Sequence, residues 1–140
     1  MMARALSEIE REIAAFLPVD GYWRPLDDLL AEALGADPKP QVIKLFLSVL
    51  ERFPLDDGAG VLWSIVHGLE HLGDYESLLL HSVRSTPSFL GIVMLGRMIN
   101  AGERAIDGEM ITDVLRNIAS RPGIAEDLRT CALSFLRNPK

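Results

Sequence analysis

Residues 87–100 read PSFLGIVMLGRMIN, a proline followed by a run that is apolar almost all the way round a helical wheel. Proline suits the first turn of a helix, where its fixed φ is already helical and its missing N–H is not needed. A helix that is apolar on every side has to lie between neighbours, because a surface helix keeps one polar face. Arg97 interrupts the run well short of the ~20 residues that would span a bilayer. The stretch therefore predicts the central helix of a layered helical protein.

Working outward, Pro18, Pro54, Pro87 and Pro122 fall 36, 33 and 35 residues apart, each at a helix boundary. That interval is the length of a helical hairpin repeat, which buries its apolar face only by stacking on the next hairpin. Helical spacing dominates between the prolines, and no alternating strand of five or more residues is visible. The first helix covers Ser7 to Leu17, with Leu6, Ile9, Ile13, Phe16 and Leu17 on its apolar side. The second runs from Pro25 to Leu34 and stops at Gly35, and the third from Pro40 to Phe53. The fourth is expected from Gly60 to Leu72, and the fifth from Tyr75 to Ser85 with Asp74 as its cap. Asp107 is the expected cap of the seventh, and the eighth runs from Ile124 to Leu136. The fold expected is all-α: about eight helices in a HEAT-like α-solenoid of stacked helical hairpins, forming one domain over residues 1–140, with an irregular helical bundle as the alternative.

With 49% apolar and 24% charged residues, the chain has an ordinary globular composition and enough length to bury a core. Cys131 is the only cysteine, which excludes an internal disulfide and a Cys-rich zinc site and favours a reducing compartment. The segment MMARALSEIEREIAAFL carries Glu8, Glu10 and Glu12 where a signal peptide would have an unbroken apolar core, so a cytoplasmic location is expected. No phosphate-binding glycine loop or nucleophile elbow is present, and no histidine follows His81 to serve Cys131. The net charge of −6 is unevenly spread: residues 55–83 hold five acids and no Lys or Arg. Such a block repels nucleic acid and attracts basic partners.

Inside that block lies His67-Gly68-Leu69-Glu70-His71, which matches the H-x-x-E-H pattern of inverted zinc proteases. Two histidines one turn apart would hold the metal and the glutamate would act as general base. A third ligand is needed, and Glu103, Glu109 and Glu126 are candidates that nothing singles out; a structural zinc on His67, His71 and His81 is a separate alternative. On a helical wheel Leu62, Ile65, Val66, Leu69 and Leu72 make the core stripe, while Trp63, His67, Glu70, His71 and Asp74 gather on another side. That side is either a solvated face or a binding surface. Arg97, on the apolar sixth helix, needs a carboxylate, and Glu70 or Asp74 would supply it as a buried ion pair.

The run from Val61 to about Pro122 resembles the helical immunity proteins encoded beside contact-dependent growth-inhibition and other polymorphic bacterial toxins. The resemblance rests on Trp63, Ser64, His67 and Glu70 on one helix, Asp74-Tyr75 at a helix start, Pro87 before an apolar helix, and Arg97 with Asn100 at its end. It implies a protein that is not an enzyme, uses no cofactor and no metal, and binds the C-terminal domain of a cognate toxin in the cytoplasm. It also implies that His71, which the pattern does not require, completes H-x-x-E-H by coincidence. Charge and resemblance together name Asp56, Asp57, Trp63, His67, Glu70, His71, Asp74, Tyr75 and Glu76 as the toxin-binding set. Trp63 and Tyr75 would be aromatic anchors. Asp56 and Asp57 would be an exposed loop pair whose replacement by Lys spares the fold. The expected partner is a basic nuclease-type domain, with no nucleic acid, membrane or small-molecule substrate. A generic helical-repeat adaptor and a zinc hydrolase are the alternatives.

Overall fold

A computed structural model describes residues 4–137; the first and last three residues of the expected domain lie outside the described residues. The helices are α1 (Leu6–Ala15), α2 (Arg24–Leu34), α3 (Lys39–Arg52), α4 (Trp63–Leu72), α5 (Glu76–Ser85), α6 (Phe89–Asn100), α7 (Ile111–Ala119) and α8 (Glu126–Arg137). A two-stranded hairpin, β1 (Ala105–Ile106) and β2 (Glu109–Met110), precedes α7. The protein is all-α in class, as the periodicity predicts.

Successive helices pair as α1 with α2, α3 with α4, α5 with α6 and α7 with α8. The pairs then stack in two rows, α1 on α3 on α5 and α2 on α4 on α6 on α8. This ladder is the solenoid geometry, and α6 lies in its middle, touching α3, α4, α5, α7 and α8. Its buried residues, Leu90, Ile92, Met94, Leu95, Met98 and Ile99 among them, face several sides at once. The close approach of α8 depends on Gly96: a Cβ there would lie 2.2 Å from a Phe135 ring carbon. Ser88 caps α6, its hydroxyl accepting from the Gly91 amide at 3.0 Å.

Four local expectations are corrected. Helix α1 ends at Ala15, not Leu17, because Arg52 donates to the Ile13 and Phe16 carbonyls and closes the helix end there. Helix α4 starts at Trp63, not Gly60, because residues 58–60 form a 3-10 turn in which the Asp57 carboxylate accepts from the Ala59 amide. Asp74 does not cap α5: it sits at φ +54° and accepts instead from Lys39 Nζ at 3.1 Å. Asp107 does not cap α7 either. With Gly108 it forms the tip of the β1–β2 hairpin, both residues at positive φ, as in a type I′ turn. Asp20-Gly21 forms a similar tip between α1 and α2, bridged by Val19 and Tyr22.

Candidate functional site

Helix α4 is the element on which the site residues turn, and its core stripe is as expected: Ile65, Val66 and Leu69 are buried with Gly68. Gly68 is needed for packing, since a Cβ there would lie 2.7 Å from the Phe46 ring of α3. The polar side chains of HGLEH diverge around this stripe. His67 and His71 line a groove of about 390 Å³ against α2, together with Asp27, Leu30 and Phe46. Trp63, half-buried, lies one turn before His67 with the two rings 6.3 Å apart.

Glu70 turns the other way, toward α6. Arg97 Nε donates to Glu70 Oε2 at 2.8 Å and Nη2 to Oε1 at 2.7 Å, a bidentate pair between the two helices. The Arg97 guanidinium holds the Glu70 carboxyl below its usual value, and Glu70 in turn raises Arg97. The pair is not buried as expected, for the side chains are 42% and 31% exposed. Arg97 lies at the end of α6 nearest solvent, while Met98 and Ile99 beside it stay in the core. Asp74 takes no part in this pair and binds Lys39.

The carboxylate that H-x-x-E-H would use as a base is thus engaged by Arg97, away from the groove that the two histidines line. Among the described residues, no three His, Cys, Asp or Glu side chains converge as a metal-binding group. Burial pushes the Cys131 thiol up to about 11, so it is a neutral thiol at physiological pH and a poor nucleophile.

Seven of the nine expected binding residues line three separate concavities, while Trp63 and Asp74 line none of them. Asp56 and Asp57 border one of about 370 Å³ between the α3–α4 loop and α8, which brings in Asp127. Both aspartates are exposed yet engaged: Asp56 accepts from the Gly58 amide at 3.0 Å and Asp57 from the Ala59 amide at 3.1 Å. Glu70, Tyr75 and Glu76 line a pocket of about 540 Å³ on the opposite flank of α4 from the histidines. Tyr75, expected as an aromatic anchor, is only 9% exposed, and its ring belongs to the core.

Two acids of this pocket, Glu103 and Asp107, were not among the expected binding residues. Asp107 is held there by the Ser77 hydroxyl, which donates to its carboxylate at 2.9 Å. The signal for it was present as Asp107-Gly108, a type I′ hairpin dipeptide between Ile106 and Met110. The chain matches no family model, curated protein or solved structure, so the meaning of this surface rests on its geometry and charge.

Proposed function

We propose that the protein is an immunity protein: it binds the C-terminal domain of a cognate bacterial toxin, of basic nuclease type, and covers its active or substrate-binding surface in the cytoplasm of the producing cell. The observation that carries the reading is the acidic surface around α4 and α5. Of the five acids in residues 55–83, two have basic partners, Glu70 with Arg97 and Asp74 with Lys39. The carboxylates of Asp56 and Asp57 take backbone amides only and keep their charge at the surface. Unneutralised acids on a stacked helical scaffold speed encounter with a basic partner and select against acidic ones. The sequence resemblance to toxin-neutralising proteins falls on the same segment. No described helix is long and apolar enough to cross a membrane.

The test is binding to, and protection against, the C-terminal domain of an exported protein encoded directly upstream. Replacing Asp56 and Asp57 by Lys would abolish two loop hydrogen bonds worth about 1 kcal/mol each, so that change does not spare the fold as expected. Asp56→Asn with Asp57→Asn keeps both acceptors and removes only charge. That variant should unfold at nearly the wild-type urea concentration but associate more slowly, with a flatter salt dependence. Absence of binding and protection by the wild-type chain would reject the immunity reading.

A further inference from the structure

The exposed apolar side chains of the protein gather at one end of the helical stack. Among the described residues, the large hydrophobics left in solvent are Leu17, Val19, Tyr22, Leu55 and Met110, and the first four are each at least 57% exposed. Leu17, Val19 and Tyr22 stand on the α1–α2 loop, and Leu55 stands on the α3–α4 loop. Trp23 holds these loops side by side. Its ring lies 5.8 Å from that of Phe16 and 4.9 Å from that of Phe53, and a Cβ on Gly58 would lie 3.0 Å from it. Arg52 ties the same end together through the Ile13 and Phe16 carbonyls.

The fold gains little from apolar residues there, because a side chain that stays in water contributes little transfer energy. Nor do they ride on slack chain. Val19 and Tyr22 bridge across the Asp20-Gly21 tip, with the Tyr22 amide donating to the Val19 carbonyl at 2.9 Å, and the Asp56 and Asp57 carboxylates brace the turn after Leu55. A surface held in place before binding loses little freedom when a partner arrives. Exposed apolar side chains gathered together and rimmed by polar groups are the usual mark of a protein-binding surface.

The rim says which partner fits. Asp20 lies between Val19 and Tyr22, and Asp56, Asp57 and Asp127 border the concavity that Leu55 and Phe89 also line. None of these four exposed carboxylates is in a salt bridge among the described residues. The bases beside them are Arg24 and Arg52, and Arg52 is already engaged by the α1 carbonyls and the Phe53 ring. A second copy of this chain, of net charge −6, would set like charges against one another. A basic protein surface that also carries apolar side chains satisfies both the patch and its rim.

We propose that the loop end of the first two helical hairpins is the docking surface for a basic protein domain, whose apolar side chains pack on Leu17, Val19, Tyr22 and Leu55 while its cations meet the acidic rim. The identity of that domain as a toxin rests on the immunity reading above; the surface itself can be tested without it. The partner-free probe is tryptamine, an indole bearing an ammonium group, and its control is indole-3-propionate, the same ring bearing a carboxylate. Binding is read from the methyl resonances of Leu17, Val19 and Leu55, with the methyl of Met110, exposed on the β1–β2 hairpin, as an internal reference.

Tryptamine should shift the three loop methyls saturably and leave Met110 in place, and indole-3-propionate should do so only at higher concentration. Shifts no larger than that of Met110, or equal responses to the two probes, would overturn the surface. The partner test is the triple variant Leu17→Ser, Val19→Thr, Tyr22→Thr, which leaves the backbone bridge intact and touches only exposed side chains, so its urea midpoint should stay near the wild-type value. Its affinity for the upstream-encoded domain should fall at least about tenfold, while Met110→Thr leaves that affinity unchanged. If the domain binds the triple variant as tightly as the wild-type chain, the docking surface is overturned and the immunity reading stands. If tryptamine maps to the loops and no such domain binds, the surface stands and the immunity reading falls. Self-association of the wild-type chain that the triple variant abolishes would make the occupant a second copy and overturn the basic partner.

Discussion

Replacing Arg97 should reveal an ion pair of surface strength, although the sequence places the residue on the most apolar helix of the chain. A buried guanidinium deprived of its carboxylate would cost about 3–5 kcal/mol. The observed exposures of 42% for Arg97 and 31% for Glu70 decide against that figure. Two charges about 4 Å apart attract by roughly 1 kcal/mol in water and by about 4 kcal/mol at an effective dielectric of 20. With 42% and 31% of the two side chains in solvent, the lower end applies, and ordering two long side chains takes part of it back. The bidentate geometry, at 2.7 and 2.8 Å, favours the top of the range measured for exposed pairs, about 1 kcal/mol.

The clean measurement is a double-mutant cycle of Arg97→Met, which keeps an apolar stem, with Glu70→Gln, which keeps the shape. Urea unfolding followed by fluorescence of the buried Trp23 should give a coupling near 1 kcal/mol at pH 7 and low salt. Its pH dependence has a definite sign. The folded pKa of Glu70 lies below its ordinary value of 4.5, so the coupling is fully present above that value and is lost as the pH falls through the folded pKa. Salt should weaken it as well. A coupling above about 3 kcal/mol, or one that grows on acidification, would refute the surface placement of the pair.

Gly96→Ala should destabilise the protein by about 1–3 kcal/mol, because the new methyl overlaps the Phe135 ring by more than the ~1 kcal/mol of improved helix propensity repays. In a Phe135→Ala background the same change should become neutral or stabilising, and a sign that stays unfavourable in both urea titrations would discredit the α6–α8 contact. Cys131 should react slowly with a thiol reagent at neutral pH, the rate climbing toward a midpoint of about 11. A midpoint near an ordinary thiol's would show that the side chain is solvated.

The helical class was legible because its signals are local. Proline at first turns and the 3.6-residue apolar period act within a few residues, so the helices with Pro25 and Pro40 in their first turn follow from the chain alone, while Pro87 lies just before the Ser88 cap of α6 and not in its first turn. The Glu70–Arg97 match was legible as chemistry, since a cation on an apolar helix needs an anion. Where that pair sits was not, because exposure depends on how far neighbouring helices cover the end of α6. The hairpin escaped notice because its strands are two residues each, too short for an alternation to show, and only the Asp107-Gly108 dipeptide marks it.

Tertiary packing also divided what the sequence presents as one site. A helical wheel places His67, Glu70 and His71 together on α4, yet α2 on one flank and α6 on the other draw the histidines and the glutamate apart. Tyr75 looks like an anchor by residue type, but stacking of the helical pairs buries most of it beside the acidic pocket that it helps to line. Residue identities thus determined the helices and the acidic charge of residues 55–83. Which of those charges share a pocket was decided only by the stacked helices, because neighbours across a solenoid are set by packing that no local pattern encodes.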